Sequence, residues 1–427
     1  MISRGAADMP SYADALRVRG YLPVFLVAAL SQWGDYIARV TIAGIVFERT
    51  HSPLATASTL AISLLPAVFG RSLVGPVVDR LPYKIVLVGS HIVRALCVVA
   101  LVALVVSGAP LWPIFAVLFV LEAVGGAATA SSMVLLTDLF EDRRLYAKAM
   151  GLGALSEQFN QAIGLAMGGA LVALLGPRVG LLIDLATFVI GAAVLAVVVE
   201  LRPVQGERGK GVRGFVADLR RAAGDLVRHP ILARLVALSA VAGLGIGAPE
   251  ALAIPLAGSS GWGGLLMAAP VAGASLGVVL LSRCDVQRQN ALMIPLALAM
   301  PVPLLATALQ PPLPVVAALW FLSGMTQSFM LPLQTTFTLV TAPELRGRIF
   351  SLAGAVSVAA AGVFYLGAGW LGQLLDPAGG VAIAAAVCLA LIGLLGLGWP
   401  RRRLRKAVDA AYAGVASPPR SAPSASM

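Results

Sequence analysis

The stretch Gly75-Pro-Val-Val-Asp79-Arg80-Leu-Pro-Tyr-Lys84 lies where one long apolar segment ends and the next begins. A glycine lets two backbones approach closely, and an aspartate at a helix end is stabilised by the positive N-terminus of a neighbouring helix. Arg80 and Lys84 carry the positive charge that membrane proteins concentrate on their cytoplasmic side. The stretch therefore predicts a charged cytoplasmic turn between two membrane helices.

The composition around this stretch indicates a polytopic membrane protein. Of the 427 residues, 59% are hydrophobic and 12% are charged, about half the charged share of a soluble domain. Lys and Arg exceed Asp and Glu by 11, but the bases lie in short clusters between apolar runs, which argues against a nucleic-acid partner. The three cysteines and three histidines have no metal or redox spacing, and no Walker-type phosphate loop occurs. We expect no cofactor and no metal.

Twelve apolar runs are long enough to cross a bilayer, which takes about twenty residues each. They lie roughly at 22–46, 55–77, 85–106, 112–136, 150–175, 179–199, 231–256, 262–281, 291–309, 314–340, 349–373 and 379–399. We predict an all-α protein with a cytoplasmic N-terminal segment (1–20), a six-helix bundle (21–200), a cytoplasmic linker (201–230), a second six-helix bundle (231–400) and a basic, then disordered, tail (401–427). The linker is either an amphipathic surface helix or a tether with a helical turn or two.

The basic residues predict the orientation of these spans. With the N-terminus inside, 25 of the 31 Lys and Arg residues fall in cytoplasmic segments, and only Arg49 and Arg178 fall in outer loops. This asymmetry predicts that both termini are cytoplasmic, and we expect the chain in the inner (plasma) membrane. The two halves also contain similar motifs. The stretch from Gly75 to Arg80 and the basic loop around Arg143 both recur in similar form about 203 residues later. A site at the midplane between two repeated halves is typical of secondary transporters.

Several motifs together resemble the major facilitator superfamily, and in particular its macrolide-efflux and siderophore-exporter-like branch. They are the opening stretch, Gln32-Trp33-Gly34-Asp35 in the first span, Arg94-Ala95 in the third, Asp184-Leu-Ala-Thr-Phe188 in the sixth and Pro343-Glu344-Leu-Arg346-Gly347-Arg348 after the tenth. The fifth span carries Gly164-Leu-Ala-Met-Gly168-Gly169, which resembles the antiporter motif of exporters, although Leu165 occupies its usual proline position. Pro82 and Tyr83 also depart from the loop motif of the family.

The resemblance implies a proton-coupled exporter of amphipathic small molecules that works by alternating access, not an enzyme, and we expect a monomer in the lipid bilayer. A cytoplasmic latch would comprise Gly75, Asp79, Arg80, Lys84 and Arg94, with Arg346, Gly347 and Arg348 in the equivalent place of the second half. A siderophore or lipid exporter and a metabolite importer remain alternatives of the same fold. A membrane-embedded enzyme would need a cluster of catalytic residues that three scattered histidines do not supply, and a channel is a further rival.

Charged residues inside apolar runs are expensive to bury and therefore mark functional candidates. Asp35 is either a proton carrier or the permanent partner of Arg39, one turn later on the same helix face. Glu122 has no base at helical spacing and is our candidate for proton coupling or for binding a cationic substrate; its alternative is a neutral, hydrogen-bonded glutamic acid. Glu250 follows a Gly/Pro-rich run and would line the outer cavity, whereas Asp184 is either part of this set or a packing residue.

The polar lining of the substrate cavity is expected to come from amide and indole side chains in the first and tenth spans. These are Gln32, Trp33, Gln327 and Gln334. Substrate cavities are mostly apolar with a few convergent polar groups. A glutamine in a membrane helix is equally able to hold two helices together, so this alternative stays open.

Overall fold

The computed structural model describes residues 11–78, 81–201, 211–342, 345–400 and 404, and these residues form helices and no strands. The helices are α1 (Tyr12–Leu16), α2 (Tyr21–Thr50), α3 (Pro53–Val78), α4 (Tyr83–Val106), α5 (Leu111–Leu139), α6 (Arg143–Leu175), α7 (Pro177–Val198), α8 (Gly211–Arg228), α9 (Pro230–Ala257), α10 (Gly263–Leu281), α11 (Val286–Ala299), α12 (Val302–Leu305), α13 (Leu313–Thr326), α14 (Met330–Val340), α15 (Arg346–Leu374) and α16 (Pro377–Leu397).

The predicted apolar runs correspond to these helices. Ten stretches of the described chain are long and apolar enough to cross a membrane, counting α11–α12 with its 3₁₀ end and α13–α14 as one span each. The helices α2 and α3 complete the twelve spans, because α2 is 30 residues long and α3 is 26. At a rise of about 1.5 Å per residue, both exceed the roughly 30 Å hydrocarbon core.

The ninth and tenth spans are broken, and the sequence shows why. Pro301 and Pro303 lack a backbone N–H and interrupt the ninth span after α11. The Ser323 hydroxyl donates to the Met300 carbonyl oxygen at 2.7 Å, and the Trp320 indole N–H donates to the Thr307 hydroxyl at 3.1 Å. Such side-chain bonds satisfy polar groups that a broken helix would otherwise leave bare in the bilayer.

Acidic residues begin several of the helices. Asp142, Asp285 and Asp376 are the N-caps of α6, α11 and α16, and each side chain accepts a hydrogen bond from a backbone N–H of the first turn. A carboxylate there satisfies an orphan donor and complements the helix dipole. These three acids therefore have a local structural role.

Two pseudo-equivalent halves, α2–α7 and α9–α16, make up the membrane domain. The second helix of each half packs against the fifth helix of the other, α3 against α15 and α10 against α6. A helix start also repeats, because α6 begins at Arg143 and α15 at Arg346, an offset of 203 residues. The internal duplication predicted from short motifs is thereby confirmed at the level of whole helices.

The linker between the halves contains a helix. This 18-residue helix, α8, contacts α3, α9 and α15, and its place on the membrane surface stays a prediction. Ala222 on α8 is fully buried. The linker helix therefore touches both halves.

The halves meet most closely at the end of the bundle where α2, α9 and α15 finish, which we call the far end. A Cβ atom added at Gly369 would lie 2.5 Å from the Ala57 Cβ, and one added at Gly169 would lie 2.7 Å from the Gly264 Cα. The Ser52 hydroxyl also donates to the Gln373 side chain at 2.7 Å across the halves. These contacts hold the far end closed.

Candidate functional site

A partly buried ion pair lies at the centre of the first half. The Arg94 Nη2 on α4 donates to the Asp35 Oδ1 on α2 at 2.6 Å, and the Arg94 side chain is 8% exposed. Its guanidinium carbon sits 4.2 Å from the centroid of the Phe188 ring on α7. Gly125 on α5 provides the space for this guanidinium group, since a Cβ atom at that position would lie 3.4 Å from the guanidinium carbon. Four helices thus hold one arginine beside one aspartate.

A second ion pair crosses between the halves. The Arg39 Nη1 on α2 lies 3.6 Å from the Glu250 Oε1 on α9. The other oxygen of Glu250 accepts a 2.6 Å hydrogen bond from the Tyr365 hydroxyl on α15. The side chains of Arg39 and Glu250 are 27% and 14% exposed. Because all three residues lie in the part of their helices toward the far end, they connect the halves there.

A cavity of about 20 Å³ lies beside Asp35 and Arg39, which is room for one water molecule. Its walls carry two more acids, Glu122 and Asp184, and it is lined by Asp35, Ala38, Arg39, Ile42, Thr59, Leu60, Ser63, Leu118, Leu121, Glu122 and Asp184. Asp184 is 1% exposed, and its Oδ1 has no hydrogen-bond partner among the described residues. Neither Glu122 nor Asp184 forms an ion pair with a described residue. The charge cluster, as we name Asp35, Arg39, Arg94, Glu122, Asp184 and Glu250, therefore holds four carboxyl groups and two guanidinium groups.

Two sequence-based interpretations are wrong. Asp35 and Arg39, one turn apart, do not pair with each other, because each faces a residue of a different helix, Arg94 and Glu250. Arg94 does not belong to a cytoplasmic latch either, since it lies midway along α4 and contacts Asp35. Arg39 and Tyr365 engage the carboxylate of Glu250 in the closed far end, so its expected place in the lining of the outer cavity stays a prediction.

The remaining latch residues are only partly described. Asp79 and Arg80 lie outside the described residues, and Gly75 lies in the last turns of α3. Lys84 is half-buried in the first turn of α4. In the second half, Arg346 Nε donates to the Thr341 carbonyl oxygen at 3.1 Å, Gly347 and Arg348 follow it in α15, and Pro343 and Glu344 are outside the described part. The latch stays a prediction.

The glycines of the antiporter-like motif pack helices together. A Cβ added at Gly164 would lie 2.8 Å from the Tyr36 Cβ, and one at Gly168 would lie 3.1 Å from the Ile37 Cα, both on α2. Gly169 faces Gly264 of the other half, as described above. The motif thus lets α6 approach α2 on one side and α10 on the other.

The predicted cavity residues lie in two different places. Gln32 accepts a 3.1 Å hydrogen bond from Asn160 on α6, and Trp33 packs beside Gly164 on the same helix, so both contribute to helix packing. Gln334 lines a separate cavity of about 330 Å³ among α9, α14 and α15. Gln327 lies in the 3₁₀ turn between α13 and α14.

Sequence reasoning missed three groups of the site. Tyr365 is the hydrogen-bond donor to Glu250, and Thr59 and Ser63 line the small cavity. A tyrosine inside an apolar span was a usable signal, because its hydroxyl needs a partner in the bilayer. The two hydroxyl residues gave no such signal, since Thr and Ser also bond to their own helix backbone, as Ser63 does to the Thr59 carbonyl at 3.0 Å.

The chain matches one protein family and is similar to several solved structures. Residues 24–288 match the family described as Major Facilitator Superfamily. Among solved structures, the nucleoside transporter NupG is 15% identical, with a TM-score of 0.66 over 88% of this chain and 98% of that one. A bacterial homologue of the human lysosomal transporter Spinster, inward-facing and unoccupied, is 16% identical, with a TM-score of 0.61 over 94% and 99%.

A POT family transporter in complex with 5-aminolevulinic acid is 12% identical, with a TM-score of 0.64 over 90% of this chain and 96% of that one. No curated protein matches the chain. At these identities the solved structures are similar to this chain in fold alone. The structure thus has the twelve-helix fold that the sequence predicted.

Proposed function

The chain belongs to the Major Facilitator Superfamily, and from that premise we propose that it is a proton-coupled exporter of amphipathic small molecules. The family carries small-molecule substrates across membranes. Proton coupling, export and the amphipathic class of substrate are our proposal. The observation that carries it is the excess of carboxyl groups over guanidinium groups in the charge cluster.

Charge balance is the physical reason for assigning protons to this cluster. A buried charge without a partner is costly, and a carboxyl group in that position takes up a proton instead. Asp35 has Arg94 as its partner and Glu250 has Arg39, so the two remaining acids, Glu122 and Asp184, would hold one proton each. Asp35 lines the same cavity and is the acid to which such a proton would pass when the Arg94 pair loosens.

The contact between Arg39 and Glu250 would couple protonation to movement of the halves. Protonation of Glu250, or the pull of Arg39 toward an ionised Glu122 or Asp184, would weaken the one ion pair described across the halves. The far end would then open while the opposite end, which we call the near end, closes, as alternating access requires. The concentration of basic residues in the loops of the near end supports a cytoplasmic location for that end.

The test is transport by the purified protein in proteoliposomes with an imposed pH gradient. N-phenylnaphthylamine serves as the uncharged amphipathic probe, and a trapped pH dye follows the protons. We expect probe movement to drive proton movement in the opposite direction and both to be lost in Glu122→Gln. Glu48→Gln is the matched control, because Glu48 is exposed at the far end of α2. Transport that is unchanged by collapse of the gradient and by Glu122→Gln would contradict the coupling.

A further inference from the structure

The larger cavity, of about 330 Å³, is separate from the charge cluster and shares no residue with it. Its walls come from the second half only, near the end where α9 and α15 begin. Among the described residues that line it, none is ionisable. A charged ligand there would have no charged partner among these residues, which disfavours its binding. The cavity therefore favours uncharged ligands.

An aromatic pair forms part of its wall. The rings of Phe337 on α14 and Phe350 on α15 stack with centroids 5.1 Å apart and planes inclined by 24°. Phe350 is 37% exposed although it lies in a membrane helix. Stacked rings offer a flat apolar surface on which another ring packs well. The wall thus suits a planar aromatic group.

A few polar groups accompany the rings. Ser239, Gln334 and Ser357 reach the wall from three different helices. The Thr338 hydroxyl donates to the backbone carbonyl oxygen of Gln334 at 2.9 Å. Its own oxygen is thereby free to accept a hydrogen bond from a ligand. An apolar cavity with a small number of hydroxyl and amide groups is the usual composition of a small-molecule site. The volume is at the lower end for such sites, which span about 300–1,000 Å³.

We propose that this cavity binds the uncharged aromatic part of the transported molecule. The inference rests on the proposed function, because it assigns the cavity to transport. The two halves then have different roles: the carboxyl groups of the first half carry protons, and the second half recognises the substrate without using charge. A permanently charged compound of the same shape would accordingly bind poorly.

The first test measures binding to the purified protein in lipid nanodiscs, with empty nanodiscs to subtract partition into lipid. N-phenylnaphthylamine and anilinonaphthalene sulfonate form a matched pair, since they share the aromatic framework and differ by a sulfonate. We expect saturable binding of the neutral dye and roughly tenfold or more weaker binding of the anion. Equal affinity for the two dyes, or binding of neither, overturns the inference.

The second test fills the cavity. Gly354 lines it, and a Cβ added there meets no atom within 4 Å, so Gly354→Leu would begin in free space and extend its remaining carbons into the cavity. Gly367→Leu is the matched control, because Gly367 lies on the same helix, is exposed and has the same free space. We expect Gly354→Leu to weaken binding of the neutral dye about tenfold or more and Gly367→Leu to leave it unchanged.

Dye binding that is equal in Gly354→Leu and the wild type would overturn the assignment to this cavity. Because the dye pair is compared on the wild type, a Gly354→Leu variant that fails to fold leaves the inference testable. Binding is measured without a pH gradient, so loss of coupling with intact dye binding counts against the proposed function alone. Coupled transport with no dye binding counts against this inference alone.

Discussion

Glu250→Gln removes the charge of the cross-half ion pair and keeps the shape of the side chain. The amide oxygen still accepts from the Tyr365 hydroxyl, so the substitution isolates the interaction with Arg39. At 3.6 Å the Coulomb attraction is about 4.6 kcal/mol with an effective dielectric constant of about 20. Desolvation of the two groups offsets much of this. We expect the closed far end to lose about 1–2 kcal/mol, a fivefold to thirtyfold change in its population.

The assay is a distance measurement by pulsed electron paramagnetic resonance. Spin-labelled cysteines replace Ser107 and Leu309, which are both exposed at the far end, one in each half. Cys97, Cys284 and Cys388 are first replaced by alanine so that only the two introduced sites are labelled.

The wild type should give mainly one short distance, and Glu250→Gln should add a population at longer distances. The control, Glu48→Gln, removes an exposed carboxylate from the same end of the bundle and should give the wild-type distribution. An unchanged distribution in Glu250→Gln would refute the idea that this ion pair holds the halves together.

Three further predictions concern other parts of the structure. Arg94→Gln leaves the partly buried Asp35 without its partner and should lower the free energy of unfolding by about 1–3 kcal/mol, seen in thermal unfolding and partly restored by adding Asp35→Asn. Gly169→Leu pushes a side chain into the Gly264 backbone and should separate the two halves at the far end. Cysteines introduced into the contact between the halves there should then react faster with a thiol reagent. Hydrogen bonds from the N-cap of α1 lower the pKa of Asp14, so α1 should be intact above the ordinary aspartate pKa, and the protection of its amides relative to their intrinsic exchange rates should decrease as the pH falls through the lowered value.

Helix positions were the most predictable part of this fold, because the thickness of the bilayer fixes how long an apolar run must be. The boundaries predicted for 85–106 and 231–256 differ from α4 and α9 by at most two residues. The breaks in the ninth and tenth spans were less predictable. Prolines indicate a break, but the side chains that satisfy the freed groups, such as Ser323, come from a neighbouring span.

Partners of the buried charges could not be read from the sequence. Helical spacing brings Arg39 next to Asp35, but the rotation of α2 and α4 about their axes decides which acid Arg94 meets. The partner of Glu250 lies in the other half of the chain, where no local pattern relates it to Arg39. Burial itself was predictable, since each of these residues interrupts an apolar run, and that is why the candidates were found while their pairing was not.

The central claim is that two of the four carboxyl groups in the charge cluster carry protons in the resting protein. Infrared spectroscopy measures this directly, because a protonated carboxylic acid and a carboxylate absorb at different carbonyl frequencies. At neutral pH the wild type should show buried carboxylic acid bands, and Glu122→Gln and Asp184→Asn should each remove one of them. A spectrum without buried carboxylic acid bands, or bands that survive both substitutions, would contradict the account.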